Sequence, residues 1–198
     1  MTNKIIGIQG DKLDKINISS DTSIFLAHEA QKLGYKIFYY TPSNLSIIKN
    51  KTYANGVFVK LNYERKKFYK IYKKQKIDVE NLKFILIRQD PPFNSEYLIT
   101  TLILDDLKKT RVINNPMAIR NVSEKLYSKK FTKYMPDTIF SNNIDEIRKF
   151  FNKNKNMIMK PINGYGGNQI HLIKNKFNKK LITNFLKKNG HSMFQKFL

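Results

Sequence analysis

The first forty residues constrain the fold more than any other stretch. Lys4-Ile5-Ile6-Gly7-Ile8-Gln9 reads as a buried strand, followed by a loop rich in Asp, Asn and Ser that runs to Ser20. Asp21 or Ser20 can N-cap a helix whose apolar positions are Ile24, Phe25, Ala27, Ala30 and Leu33, with Gly34 as its stop. Lys36–Tyr40 is a second strand. A strand, a helix and a strand in this order open a parallel α/β sheet.

The next stretch departs from that pattern. Leu45–Leu61 holds two apolar runs around Lys49-Asn50-Lys51, and Asn55-Gly56 marks a second turn or bulge, so a small antiparallel excursion is expected. Arg65–Lys76 interleaves Phe68, Tyr69, Ile71 and Tyr72 among basic residues at helix-like spacing and reads as a solvated helix with an apolar stripe. Phe84–Arg88 is another buried strand, a helix covers Glu96–Thr110, and Arg111–Asn114 is a short strand that Pro116 stops. Helices are then expected over Val122–Phe131, Ile144–Phe151 and Lys180–Lys188. Strands are expected at Met157–Lys160, Ile170–Ile173 and Met193–Leu198, the last without a neighbouring strand. These elements define two domains, 1–119 and 120–198.

Composition excludes several classes. At 41% hydrophobic and 13% aromatic, the 198 residues can build a real core rather than remain disordered. No apolar run approaches the roughly 18 residues of a membrane span, and Met1–Gly10 lacks the features of a signal peptide. We therefore expect a cytoplasmic protein with no membrane partner. The chain has no Cys and so no disulfide or thiolate–metal framework. The net charge of +22 raises nucleic acid as a partner. The charge is mostly Lys, spread along the whole length beside abundant Asn and Ile, which favours a compositional origin over a polyanion site.

One cluster carries chemistry. Lys160-Pro161-Ile162-Asn163-Gly164-Tyr165-Gly166-Gly167 lies between two expected strands. Glycines let a backbone approach phosphates and turn N–H groups toward anions, although such a loop is also an ordinary hairpin turn. It is neither a Walker loop nor a dinucleotide fingerprint, since no Gly-Lys-Ser/Thr follows and no helix opens there. Lys160 closes the preceding strand and could stand beside the same phosphates. Lys125 faces out of an expected helix start. Either lysine alone would be merely solvated. His28, His171 and His191 are scattered and read as structural or surface residues.

In their order along the chain, these segments resemble those of the prokaryotic glutathione synthetases, members of the ATP-grasp superfamily. The similarity runs through Asn17-Ile18, Asp21-Thr22-Ser23, Glu29-Ala30-Gln31, Gly34-Tyr35, Arg88-Gln89-Asp90-Pro91-Pro92-Phe93 and Val112-Ile113-Asn114-Asn115-Pro116. It continues through Glu124-Lys125-Leu126, Met159-Lys160-Pro161, Gly164-Tyr165-Gly166-Gly167 and Gln195-Lys196-Phe197-Leu198. Gln89 stands where the family usually carries a Lys.

The resemblance implies a Rossmann-like parallel-sheet N-terminal (pre-ATP-grasp) domain, followed by the first, α+β half of an ATP-grasp domain. It implies ATP-dependent joining of γ-glutamylcysteine to glycine through an acyl phosphate. Lys125, Lys160, Gly164, Gly166 and Gly167 are then expected at the ATP phosphates, and Gln195, Lys196, Phe197 and Leu198 at the adenine hinge. Asp21, Ser23, Arg88 and Asp90 are expected on the substrate side. Mg²⁺ or Mn²⁺ is expected, with ligands in a second half of the ATP-grasp domain that does not map onto this sequence. The chain is accordingly expected to be an N-terminal portion, inactive in ligation alone, of an enzyme that forms homo-oligomers. Two alternatives stay open: another ATP-grasp carboxylate-amine ligase, and a basic nucleic-acid-binding module without ligase activity.

Overall fold

The computed structural model describes residues 4–63 and 67–198, in two compact units, Met1–Arg120 and Asn121–Leu198. In the first unit, β1 (Ile5–Gln9), β2 (Lys36–Tyr40), β3 (Leu45–Ile48), β4 (Lys51–Leu61), β5 (Tyr69–Asp78), β6 (Phe84–Ile87) and β7 (Arg111–Ile113) form one seven-stranded sheet. Its order is β3-β4-β2-β1-β6-β7, with β5 on the other edge of β4. The β2-β1-β6-β7 part is parallel, and β3, β4 and β5 pair antiparallel. Successive side chains alternate between faces. In β2, Ile37 and Tyr39 join the core around Ile24 and Ala27 of α1 (Thr22–Lys32), while Phe38 and Tyr40 join the core around Leu104 of α2 (Ser95–Asp105). Apolar cores on both faces explain why the parallel strands read as continuous hydrophobic runs.

The antiparallel excursion is present, with changes. Lys49 and Asn50 have φ of 49° and 60° and make the tight β3–β4 turn. Asn55-Gly56 is not a turn but lies inside β4. A Cβ on Gly56 would sit 2.5 Å from the Phe38 ring and 2.6 Å from the Tyr39 carbonyl oxygen, so this glycine answers a close approach of β2. The helix read over Arg65–Lys76 is β5 instead; Arg65 and Lys66 lie outside the described residues. The register slips where Phe58 pairs with Lys73 but Val59 with Ile71. That bulge breaks the period of two and gives the apolar residues a false helical spacing. Lysines along β5 are a common way to blunt an exposed edge.

After β7, Pro116 begins α3 (Pro116–Asn121) rather than only stopping a strand. The helix expected over Val122–Phe131 is absent. Turns lead into 3₁₀ turns at Leu126–Tyr134, in which Phe131 leaves helical geometry (φ −122°, ψ 28°).

The second unit is a four-stranded antiparallel sheet in the order β10-β9-β11-β8, from β8 (Thr138–Ser141), β9 (Met157–Pro161), β10 (His171–Ile173) and β11 (Ser192–Lys196). β11 was expected to lack neighbours, yet it lies between β9 and β8, a strand the sequence reading missed. α4 (Ile144–Asn154) and α5 (Lys179–Asn189) cover one face. Ile147, Phe151 and Ile182 pack there on Met157, Met159 and Phe194. Among the described residues no helix is long and apolar enough to cross a membrane.

Candidate functional site

Two clusters gather the residues singled out in the sequence. The first lies in the N-terminal unit, just past the carboxyl end of β6, where open α/β sheets place ligands. The Asp21 carboxylate caps α1 by accepting the Ile24 N–H at 2.7 Å. Arg88 donates from Nε to Ser23 Oγ at 2.9 Å and from Nη2 to Thr22 Oγ1 at 2.7 Å. The backbone N–H of Asp90 donates to Asp11 Oδ2 at 2.8 Å. Asp21, Ser23, Arg88 and Asp90 thus share one neighbourhood, to which the structure adds Asp11, Thr22 and Tyr39. The Tyr39 hydroxyl donates to the Asp11 carbonyl at 2.6 Å. Burial, then the carboxylates of Asp11, Asp21 and Asp90, push its ionisation well above the ordinary tyrosine range. Beneath them, the buried amides of Gln9 and Gln89 bond to each other and tie β1 to the exit of β6.

The second cluster lies in the C-terminal unit, on the β-sheet face away from α4 and α5. Along β9, Met157 and Met159 point into the core, so Ile158 and Lys160 point to the other face. Lys160 Nζ donates to Gln195 Oε1 at 3.0 Å, and Gln195 Nε2 donates to Thr138 Oγ1 at 3.0 Å. A polar row thus crosses β9, β11 and β8, with diagonal and directly opposed neighbours in contact. Gln195 spends its amide holding Lys160. Thr138 was invisible in sequence because β8 itself was.

Lys125, carried by the turn before Leu126, donates from Nζ to the Gly164 carbonyl oxygen. Lys125, Lys160, Gly164, Gly166 and Gly167 line one cleft of about 160 Å³, together with Glu124, Tyr165 and Asn168. Gly166 and Gly167 have φ of 57° and 74°, and a Cβ on Gly167 would meet nothing within 4 Å. Their requirement is therefore conformational rather than steric. Burial, and then the charge of Lys125, lower the Lys160 ammonium below the usual lysine range. The nearest carboxylate to Lys125 is that of Glu124, 3.6 Å away and largely solvated.

Lys196, Phe197 and Leu198 do not line this cleft. Lys196 pairs with Met157, three residues or about 10 Å along β9 from Lys160. The Lys196 N–H is bonded to the Asp137 carbonyl and the Phe197 N–H to that of Asn156, while Leu198 is exposed. Among the described residues no group of three or more His, Cys, Asp or Glu stands together to hold a metal ion. The residues present do not fit a metal centre, and no step below passes through one.

Comparison with known proteins agrees with this architecture. The D-cycloserine synthetase DcsG covers 98% of the chain at a TM-score of 0.64 and 12% identity, with 59% of its own length matched. The D-alanyl-alanine synthetase A of Vibrio cholerae covers all of it at 0.55 and 14%, with 60% of its own length matched. At these identities the likeness speaks for the fold, which is that of ATP-grasp ligases. The family is more specific. The description of the prokaryotic glutathione synthetase N-terminal domain matches residues 5–120, and that of the family's ATP-grasp domain matches 124–198. The glutathione synthetases of Buchnera aphidicola (from Acyrthosiphon pisum) and Salmonella typhimurium are 37% and 33% identical, each over 85% of this chain. The chain belongs to the prokaryotic glutathione synthetase family. It spans about half the length of the curated relatives it matches, 53% of the first of these and 54% of the second.

Proposed function

We propose that this polypeptide supplies the nucleotide-phosphate loop and part of the substrate side of a cytoplasmic, homo-oligomeric ligase. The enzyme uses ATP to join γ-glutamylcysteine to glycine. The observation that carries the reading is the meeting of Lys125 and Lys160 on one glycine loop, two cations with little counter-charge. Phosphate oxygens answer that imbalance better than any neutral ligand.

A carboxylate resists attack by an amine because its oxygen is a poor leaving group. Transfer of the γ-phosphoryl group to the cysteinyl carboxylate gives an acyl phosphate and ADP. Attack by the glycine amine then forms the amide and releases phosphate. A divalent cation, Mg²⁺ or Mn²⁺, would neutralise part of the phosphate charge. Lys160, held by Gln195 and Thr138, and Lys125, held by the Gly164 carbonyl, contribute fixed positive charge at the phosphates. The loop through Gly164, Gly166 and Gly167 closes over them and keeps water from the acyl phosphate. Lys196–Leu198, one strand length away, meet the base chiefly through apolar contact. Arg88, with Asp21, Ser23 and Asp90, orients the dipeptide.

Two measurements test this. Calorimetric titration of the 198-residue chain with ATP should show binding that Lys160→Ala weakens. Assay of the full reading frame of the gene should give ADP release only when γ-glutamylcysteine and glycine are both present. ADP release with another amino acid pair would move the protein to a different ligase specificity, and absence of nucleotide binding would remove the reading altogether.

A further inference from the structure

α2 is built inside out. Its buried face carries Thr100 and Thr101, at 3% and 0% exposure, while Leu98, Ile99 and Leu102 stand in solvent at 38%, 46% and 50%. The threonines tolerate burial because each hydroxyl donates to a carbonyl one turn back, Thr100 to Tyr97 at 2.9 Å and Thr101 to Leu98 at 2.7 Å. Nothing within the unit compensates the aliphatic side. Residues 98, 99 and 102 fall on one stripe of the helix. Met117 on α3 is also exposed, one turn before Arg120, whose guanidinium pairs with Asp105 at the end of α2.

The charge pattern says what covers this stripe. In a chain with 37 Lys and Arg, the nineteen residues between Arg88 and Lys108 contain none, and they hold Asp90, Glu96, Asp105 and Asp106. A two-fold contact sets a surface against itself. At a net charge of +22, most of this protein's surface would then bring lysine onto lysine. The α2 stripe is apolar at its centre and carboxylate-bearing at its ends, with Lys108 and Lys109 just beyond, so it can face its own copy without that repulsion.

We propose that the exposed face of α2 is the contact through which two copies of this chain associate. The proposal locates the interface of the homo-oligomer named above, rests on that part of the reading, and is independent of the ligase chemistry. Sedimentation velocity over a wide concentration range tests it. The wild-type chain should reach at least twice its 23.4 kDa mass. Ile99→Asp with Leu102→Asp should shift the midpoint of assembly upward at least about tenfold in concentration, with an unchanged far-ultraviolet circular dichroism spectrum. Phe25→Asp, on exposed α1, should leave assembly intact. If the double variant loses its folded spectrum, Leu98→Lys at the edge of the stripe gives the same reading. A wild-type chain that stays a single 23.4 kDa particle overturns the proposal, including the case where another polypeptide segment covers the stripe. Assembly untouched by the substitutions overturns it as well. ATP titration of the same samples separates this failure from failure of the nucleotide reading.

Discussion

Arg88 in the first unit and Lys160 in the second are both cations at strand ends, but their surroundings are opposite. Arg88 has two of its donors taken by the hydroxyls of Thr22 and Ser23, and the carboxylates of Asp11, Asp21 and Asp90 lie close by. Its charge is balanced and its geometry fixed before any ligand arrives. Lys160 has one amide oxygen and a second lysine as neighbours, and its ammonium is held below the ordinary lysine range by burial and by that lysine. One site is preorganised and neutralised; the other carries a surplus of positive charge that an anion would relieve. The same fold can therefore position one substrate by shape and the other by charge.

The largest expected effect falls on the unbalanced site. Lys160→Ala should weaken ATP binding about 100-fold, in line with the roughly 1.5–3 kcal/mol of a hydrogen bond to a charged group. Lys125→Ala should do nearly as much, and the double variant less than the sum, because the two lysines repel each other in the free protein. The pH dependence has a definite sign. Phosphate binding favours the charged ammonium, so ATP affinity should fall as pH rises through the lowered Lys160 pKa, before an ordinary lysine would titrate. In the free protein the unfolded chain holds this proton more tightly than the native state. The Lys160 penalty is therefore complete below its native pKa, and its relief raises stability as pH climbs from there toward 10.5. Titrations of Lys160→Met should lose both effects. An ATP affinity that ignores Lys160 would dissolve the contrast between the two sites.

A second test concerns what fixes the first unit. Glu80 accepts the backbone N–H groups of Lys108, Lys109 and Thr110 at 2.6, 2.8 and 2.9 Å, anchoring the link from α2 to β7. Burial alone would raise its pKa, but these three bonds and Lys109 prevail and lower it. The stability it contributes is present above the unfolded pKa near 4.5 and is lost as pH falls through the lower native value. Glu80→Gln should cost about 2 kcal/mol at neutral pH, with a smaller difference from wild type in acid, as read by urea unfolding. An equal loss at every pH would assign the effect to packing.

Legibility in sequence followed the same division. The parallel strands β1, β2 and β6 were visible because both faces are buried and the apolar runs are unbroken. β5 was misread because its bulge broke the period of two, and Gly56 because a close approach of Phe38 leaves no mark in its own neighbours. The glycine loop and both lysines were legible, since they lie beside each other in sequence or in a recognisable order. Thr138 and Asp11 were not, because each becomes relevant only through pairing across the sheet or across a long loop closure. Gln195 was expected at the nucleotide, but its contacts are to Lys160 and Thr138, a role that only the register of β9 with β11 discloses.

Arg88→Lys sharpens the comparison with a smaller effect. A single ammonium cannot reproduce the fork that spans Thr22 and Ser23. We expect kcat/KM for γ-glutamylcysteine in the full-length enzyme to fall about tenfold, which corresponds to about 1.4 kcal/mol, with ATP binding to the 198-residue chain unchanged. A parallel loss of ATP binding would show that the two clusters do not act on separate substrates.

The smallest effect is expected at Asp21, where two roles can be separated. Its carboxylate accepts the Ile24 N–H at 2.7 Å and so satisfies one of the orphan donors at the start of α1. Loss of such a cap costs about 1 kcal/mol, so Asp21→Ala should lower the urea midpoint by that equivalent. Asp21→Asn keeps an oxygen acceptor at the same place and should recover most of the stability while removing the charge. If Asp21 serves only as a cap, Asp21→Asn should also restore kcat/KM. If the carboxylate meets the ammonium end of the dipeptide, as proposed for this cluster, Asp21→Asn should be stable yet raise KM for γ-glutamylcysteine. The amide variant therefore decides whether the first unit's carboxylates only complete the fold around Arg88 or also read the substrate.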